Sequence, residues 1–374
     1  MRSLRAAGLV LAALMWAPPL GAQAQAIPGT PGHAAGQAGW QALGEGRHQD
    51  AAAAFAKAID EAPRDPSLHL GAGVTAFLLG QPTAARHSLE RALSLAPGLT
   101  QASLLLGDIL YRGSDIQSAR RVYEDALRHN PSDATLLARV ARLTREAALH
   151  SGYFASHGAR FTVLFEGPAD EPLASRALEI LEAAYWRVST ALALYPEQII
   201  TVILYTEQQF QDITRSPGWA AGAYDGRIRV PVRGALADAH ELERVLVHEL
   251  THALVHAVAP RGVPVWLHEG LAVQFEPQGG AWAARELTRS VMRLPLAQLA
   301  GSFTSLSAEE ARAAYAQSAA IVASLFERGG AAAVGAVLQD IARGDAFAVA
   351  FERYFSMTFD DFVASLAAPI DLLR

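Results

Sequence analysis

The chain has 374 residues, of which 51% are apolar and 18% charged, with no cysteine and a net charge of −6 at neutral pH. That length suits about two domains. The apolar share excludes general disorder, and the lack of cysteine excludes disulfides, thiolate metal sites and a cysteine nucleophile. The acidic balance, with the densest basic pair Arg120-Arg121 lying among acids, gives no electrostatic case for a nucleic-acid partner.

In chain order, Arg2 and Arg5 precede the apolar run Ala6 to Trp16, and Ala24-Gln25-Ala26 offers a small-x-small cleavage site, so residues 1–26 are predicted to be a signal peptide. The competing reading is an uncleaved anchor, against which the run is short for a span of about 20 residues. No later segment is expected to cross a bilayer. A periplasmic or secreted location follows, given a bacterial source, and residues 27–36 form a linker.

A gapless 34-residue period then sets in. Gly39, Gly73 and Gly107 fall in one column, Gly46, Gly80 and Ser114 in a second, and Ala51, Ala85 and Ala119 in a third. Phe55, Leu89 and Tyr123 follow, then Ala58, Ala92 and Ala126, then Pro63, Pro97 and Pro131. Small residues let two helices approach, the bulky residue fills the gap, and proline stops the second helix. The period and the order of its columns resemble tetratricopeptide repeats. Residues 134–149, with Leu137, Val140, Ala141 and Leu143 at helical spacing, are predicted to form the capping helix, closing an array over 37–150. Stacked hairpins imply either a protein or peptide partner on the repeats or a packing platform.

After His150 strands and helices alternate: a strand over Phe161 to Phe165, a helix over Leu173 to Leu194, a strand over Ile199 to Tyr205, and an extended segment or hairpin over Gly222 to Val232. A helix over Glu241 to Val258 follows, and it contains His248-Glu249-Leu250-Thr251-His252. Residues four apart share a helical face, so the imidazoles of His248 and His252 can converge on one metal ion, with Glu249 beside it to take a proton from the attacking water. This pattern alone is a modest signal. Further on, Trp266-Leu267-His268-Glu269-Gly270-Leu271-Ala272, preceded by a Pro260 to Pro264 turn, brings a carboxylate back on the next helix. Two histidines, one glutamate and an open position suit a catalytic rather than structural Zn²⁺, one per chain.

The two segments together resemble the gluzincin peptidases, and within them the peptidase MA-like group, at His248, Glu249, His252, Trp266, Leu267, Glu269, Gly270 and Ala272. The resemblance extends over 158–374 and implies zinc held by His248, His252 and Glu269 with Glu249 catalytic. The chain lacks the Gly-x-Met-Glu-Asn segment of the aminopeptidase branch, which turns the expectation towards an endopeptidase. His268 is expected behind the ligands or exposed, since adjacent helical residues point about 100° apart. His256 lies a turn beyond the metal, and His240 precedes the helix by too much to chelate. Tyr315 carries two readings, a phenol that donates to the oxyanion or a core tyrosine. The segment Gly222 to Val230 is either an edge strand that a substrate backbone joins or a plain hairpin. Residues 346–366, rich in phenylalanine, read as core of a closing helical subdomain.

The fold expected is thus multidomain, an all-α repeat array followed by an α+β zincin-like domain with a small mixed or antiparallel sheet. The function expected is zinc-dependent hydrolysis of a protein or peptide substrate, with Glu249 as general base. Two rivals share these residues: a cell-envelope adaptor with an inactive or structural zinc fold, and a zinc hydrolase of a cell-wall amide.

Overall fold

The structure, a computed structural model, describes residues 32–214, 222–232, 239–290, 292–303 and 306–366. The expected signal peptide and residues 27–31 of the linker lie outside them. The chain forms two compact units, one ending at Leu149 and the other running from His150.

Among the described residues the first unit has seven helices: α1 (His33–Gly44), α2 (His48–Glu61), α3 (Pro66–Leu78), α4 (Pro82–Leu95), α5 (Thr100–Arg112), α6 (Ile116–His129) and α7 (Ala134–His150). Each column of the repeat has a physical duty. A Cβ placed on Gly39, Gly73 or Gly107 would lie within 3 Å of Phe55, Leu89 or Tyr123 respectively, so the glycine column makes room for the bulky column of the facing helix. The second column is the turn inside each hairpin, where Gly46, Gly80 and Ser114 all take positive φ, of 74°, 71° and 65°. Glycine adopts that conformation freely and serine at a cost. The alanines of the remaining columns are buried between helices. Asp65 and Asp115 cap α3 and α6 by accepting from the backbone N–H of Ser67 and Ser118.

Two expectations need correction here. The helix begins at His33, inside the predicted linker, because Gly32 in the left-handed region starts it and donates its N–H to Glu61 at 2.9 Å. The buried face of α7 is Leu136, Leu143 and Glu146, with Val140 packed against it. Leu137 is 48% exposed and Ala141 also faces solvent. A polar residue takes part in this seam: Glu146 accepts from the Tyr111 hydroxyl at 2.8 Å, so apolar spacing alone gives Val140 and Leu143 correctly and misplaces Leu137 and Ala141.

The second unit begins one strand earlier than 158, with β1 (Phe154–His157), an exposed edge strand without the alternation that reveals β2 (Phe161–Phe165). The sheet continues with β3 (Ile200–Tyr205), β4 (Ala223–Tyr224) and β5 (Ile228–Pro231), in the order β1-β2-β3-β5-β4. It is mixed: β2, β3 and β5 run parallel, and both edges are antiparallel. The segment after Gly222 is therefore both a hairpin and an edge strand. Helix α8 (Glu171–Leu192) buries Leu173, Ala177, Ile180, Leu181, Ala184 and Val188 and packs against β2, α10 and α14, and α9 (Glu207–Thr214) follows β3.

The helical part comprises α10 (Ala239–Val258), α11 (Val265–Phe275), α12 (Gly279–Arg289), the single turn α13 (Leu296–Leu299), α14 (Ala308–Ala342), α15 (Phe347–Phe355) and α16 (Phe359–Leu366). Helix α14 starts in a capping box of Ser307 and Glu310 and breaks at Gly330, where φ is 76°. Contrary to expectation, α14 is long and apolar enough, by length and composition, to cross a membrane. Its buried residues instead pack against α8, α11, α12 and α15, and its apolarity comes largely from alanine. The phenylalanine-rich end is core, as expected. Phe359 stacks on Trp266 at 5.3 Å and Phe347 meets the same indole edge-on at 5.7 Å, which holds down the start of α11.

Candidate metal centre

Helix α10 crosses the core beneath the sheet, and its zinc-motif turn is wholly inside: His248 and Glu249 are 2% exposed and His252 0%. One helical turn separates the imidazoles, whose ring centroids lie 4.9 Å apart. The chain returns on α11, which packs on both α10 and α14. The approach to α14 depends on Gly270, where a Cβ would lie 2.3 Å from the Ser318 carbonyl oxygen. That close contact sets the depth at which the preceding residue, Glu269, enters.

Glu269 Oε2 stands 3.6 Å from His248 Nε2 and 3.5 Å from His252 Nε2. Ligands about 2.1 Å from a tetrahedral Zn²⁺ are about 3.4 Å from one another. The three side chains thus have the spacing of a metal's ligands, and the group is able to hold one. None of these three atoms has a hydrogen-bond partner although all are buried, and the same is true of Glu249 Oε2. Buried polar atoms are ordinarily satisfied. Four unsatisfied ones at one spot, three of them within ligand distance, fit a cation and a water rather than an apolar core.

Electrostatics favours a positive charge there as well. Burial opposes a charge on His248, yet the carboxylates of Glu269 and Glu276 raise its pKa to about 10. Burial would also lift Glu269, but His252 and His248 hold it at about 2. Glu249 is pushed up to about 8, chiefly by burial, and burial lowers His252.

The outer layer treats the two histidines differently. His248 Nδ1 is 2.6 Å from Glu276 Oε1. Arg244, one turn before His248, pairs with Glu276 at 3.4 Å and with Glu241 at 2.6 Å. Burial works against the charge of Arg244, and the two acids more than offset it, raising its pKa. His252 Nδ1 instead faces His268 Nδ1 at 3.4 Å. His268 is buried, not exposed, and burial followed by the proximity of His252 and His256 depresses its pKa to about 3, so it stays neutral. Sequence reasoning missed Glu276 and Arg244. A signal was available in the placement of Arg244 four residues before His248, on the same face, but the acid waits beyond the end of α11 and only the fold brings it back.

The remaining candidates separate. Tyr315 is buried with its ring 6.2 Å from that of His248 and 5.3 Å from Phe303, so the fold brings it to the site. His256 packs edge-on against Tyr224 at 5.7 Å and is outside the metal group. His240 is exposed at the start of α10.

Residues 183–362 match the Peptidase MA superfamily, and residues 37–100 and 76–143 match tetratricopeptide repeat families. Residues 183–362 form a Peptidase MA superfamily domain, preceded by tetratricopeptide repeats. Mouse (Mus musculus) interferon-induced protein with tetratricopeptide repeats 3 is 29% identical over 111 residues, 29% of this chain and 28% of the mouse protein. The chain thus spans less than a third of the length of this curated relative. The first tetratricopeptide domain of Spaghetti (RPAP3) bound to the HSP90 peptide SRMEEVD is similar at 19% identity and a TM-score of 0.30, over 32% of this chain and 96% of that one. The corresponding domain of human RPAP3 is similar at 19% identity and 0.29, over 31% and 92%. The Peptidase MA domain holds every residue of the His248, His252 and Glu269 group.

Proposed function

We propose that this protein is an exported zinc-dependent endopeptidase whose helical repeats bind a protein or peptide partner. The observation that carries the reading is the convergence of buried, unsatisfied His248 Nε2, His252 Nε2, Glu269 Oε2 and Glu249 Oε2 in a Peptidase MA domain. His248, His252 and Glu269 would hold zinc. Bound there, the ion supplies a Lewis acid that polarises the scissile carbonyl and makes water a nucleophile near neutral pH. Glu249 accepts a proton from the attacking water and delivers it to the departing amine. Glu276 and His268 orient the two imidazoles, and Tyr315 donates a hydrogen bond to the developing oxyanion.

Export is supported by the charge and apolar pattern of residues 1–26. A pocket beside Tyr315, walled by Val273, Pro277 and Trp282, is where a substrate side chain would sit. Its charged residues, Arg244 and Glu276, already pair with each other, which favours an uncharged apolar side chain.

Glu249→Gln is expected to lower kcat on a peptide library by about 10²–10⁴-fold while zinc stays bound. Hydrolysis at the wild-type rate by the purified variant would remove Glu249 from the mechanism. A wild type that holds zinc yet cleaves nothing would favour an adaptor instead.

A further inference from the structure

We infer that Gly222 is the positioning residue for the Glu249 carboxylate, an inference that rests on the catalytic role given to Glu249 above. A Cβ built on Gly222 lies 2.4 Å from Glu249 Oε1 and 2.9 Å from both Cδ and Cγ. Real side chains do not approach so closely. The three atoms nearest that Cβ all belong to this one side chain, whereas at Gly270 or Gly107 the obstruction is a backbone carbonyl or a packed ring. A methyl group at 222 therefore meets something that yields, and what yields is the base.

The hairpin, by contrast, is anchored where it stands. Gly222 leads directly into β4, whose Ala223 and Tyr224 pair with Arg229 and Ile228 of β5. Arg229 is completely buried, with its Nε 3.1 Å from Asp225 Oδ1 and its Nη1 donating to the Tyr205 hydroxyl at 2.6 Å, which ties the hairpin to the end of β3. Tyr224 packs against His256 on α10, the helix that carries Glu249. Glu249 is buried, but its Oε2 has no hydrogen-bond partner to hold it. The hairpin backbone thus forms a wall against one oxygen of the carboxylate, and the absence of a side chain at 222 is what lets that carboxylate stand where it does. The wall belongs to the base and not to the metal ligands, so replacing Gly222 separates proton transfer from metal binding.

The test is Gly222→Ala in the full-length, zinc-reconstituted protein, read by crystal structure, zinc content, Tm and steady-state kinetics on a peptide that the wild type cleaves. The expected result is a displaced Glu249 carboxylate, zinc retained, Tm within a few degrees, KM within about 2-fold and kcat lowered about 10–100-fold, the scale of a misplaced catalytic group. The double variant Gly222→Ala/Glu249→Ala adds a readout that a merely structural glycine would not move. Alanine removes Cγ, Cδ and both oxygens that the added methyl meets, so Gly222→Ala should cost less than about 2-fold in the residual kcat on the Glu249→Ala background. A carboxylate still in its wild-type place with kcat unchanged would overturn the inference, and so would loss of zinc together with a collapsed Tm. Should the wild type cleave no peptide, the carboxylate's position in the variant crystal alone decides: displaced, the inference stands and the peptidase reading fails; in place, both fail.

Discussion

In the repeat array, Gly39 finds Phe55, Gly73 finds Leu89 and Gly107 finds Tyr123, each within its own helical hairpin and each by the same rule. In the Peptidase MA domain, His248 depends on Glu269 from the next helix, Glu276 from beyond that helix, and Tyr315 from α14. The array distributes its stability over repeated, short-range contacts, so damage at one hairpin is felt mainly by its neighbours. The His248, His252 and Glu269 group with Glu249 concentrates unfavourable features, four unsatisfied buried atoms and several buried charges, which a cation would offset. Local repetition builds a scaffold, whereas convergence of distant segments builds chemistry.

The largest effect expected from breaking this contrast is in the array. Tyr123→Ala empties the space facing Gly107 and removes the bond to Asp108, and should cost about 3–5 kcal/mol by chemical denaturation followed by circular dichroism. The two cores have no residue in common, so zinc content of the folded variant should be unchanged, and a parallel loss of zinc would break the comparison. Within the site, Glu276→Ala should weaken zinc binding about 10–100-fold in competition with a chelator. His268→Ala should weaken it less, because a neutral imidazole at 3.4 Å holds His252 more loosely than a carboxylate at 2.6 Å holds His248. Equal losses would mean that the two outer partners are interchangeable. The smallest effect is Ser114→Gly, which relieves the one non-glycine among the three hairpin turns and should stabilise the protein by about 1 kcal/mol, measured as a shift in denaturant midpoint.

The legibility of the sequence follows the same division. The array could be read to its columns, because each column answers to a local need: space for a ring, a positive φ, a helix stop. On the capping helix Val140 and Leu143 face the core as expected, whereas Glu146, a buried acid paired with Tyr111, completes the face where apolar spacing points to Leu137 and Ala141. In the second unit the meeting of His248, His252 and Glu269 is legible, since the histidines lie one turn apart and Glu269 sits in a short segment of characteristic composition. The outer layer is not. Glu276 looks like any acid at a helix end, and Gly222 like any glycine before a hairpin, until α10, α11 and the sheet are brought together. Strand β1 was missed because an exposed edge carries no alternation to read.

Elemental analysis of the purified protein beside His248→Ala and Glu269→Ala decides whether these side chains hold a metal. About one zinc per chain is expected in the wild type and none in either variant, with the fold retained. No zinc after reconstitution, or zinc that survives Glu269→Ala, would contradict the three-ligand site.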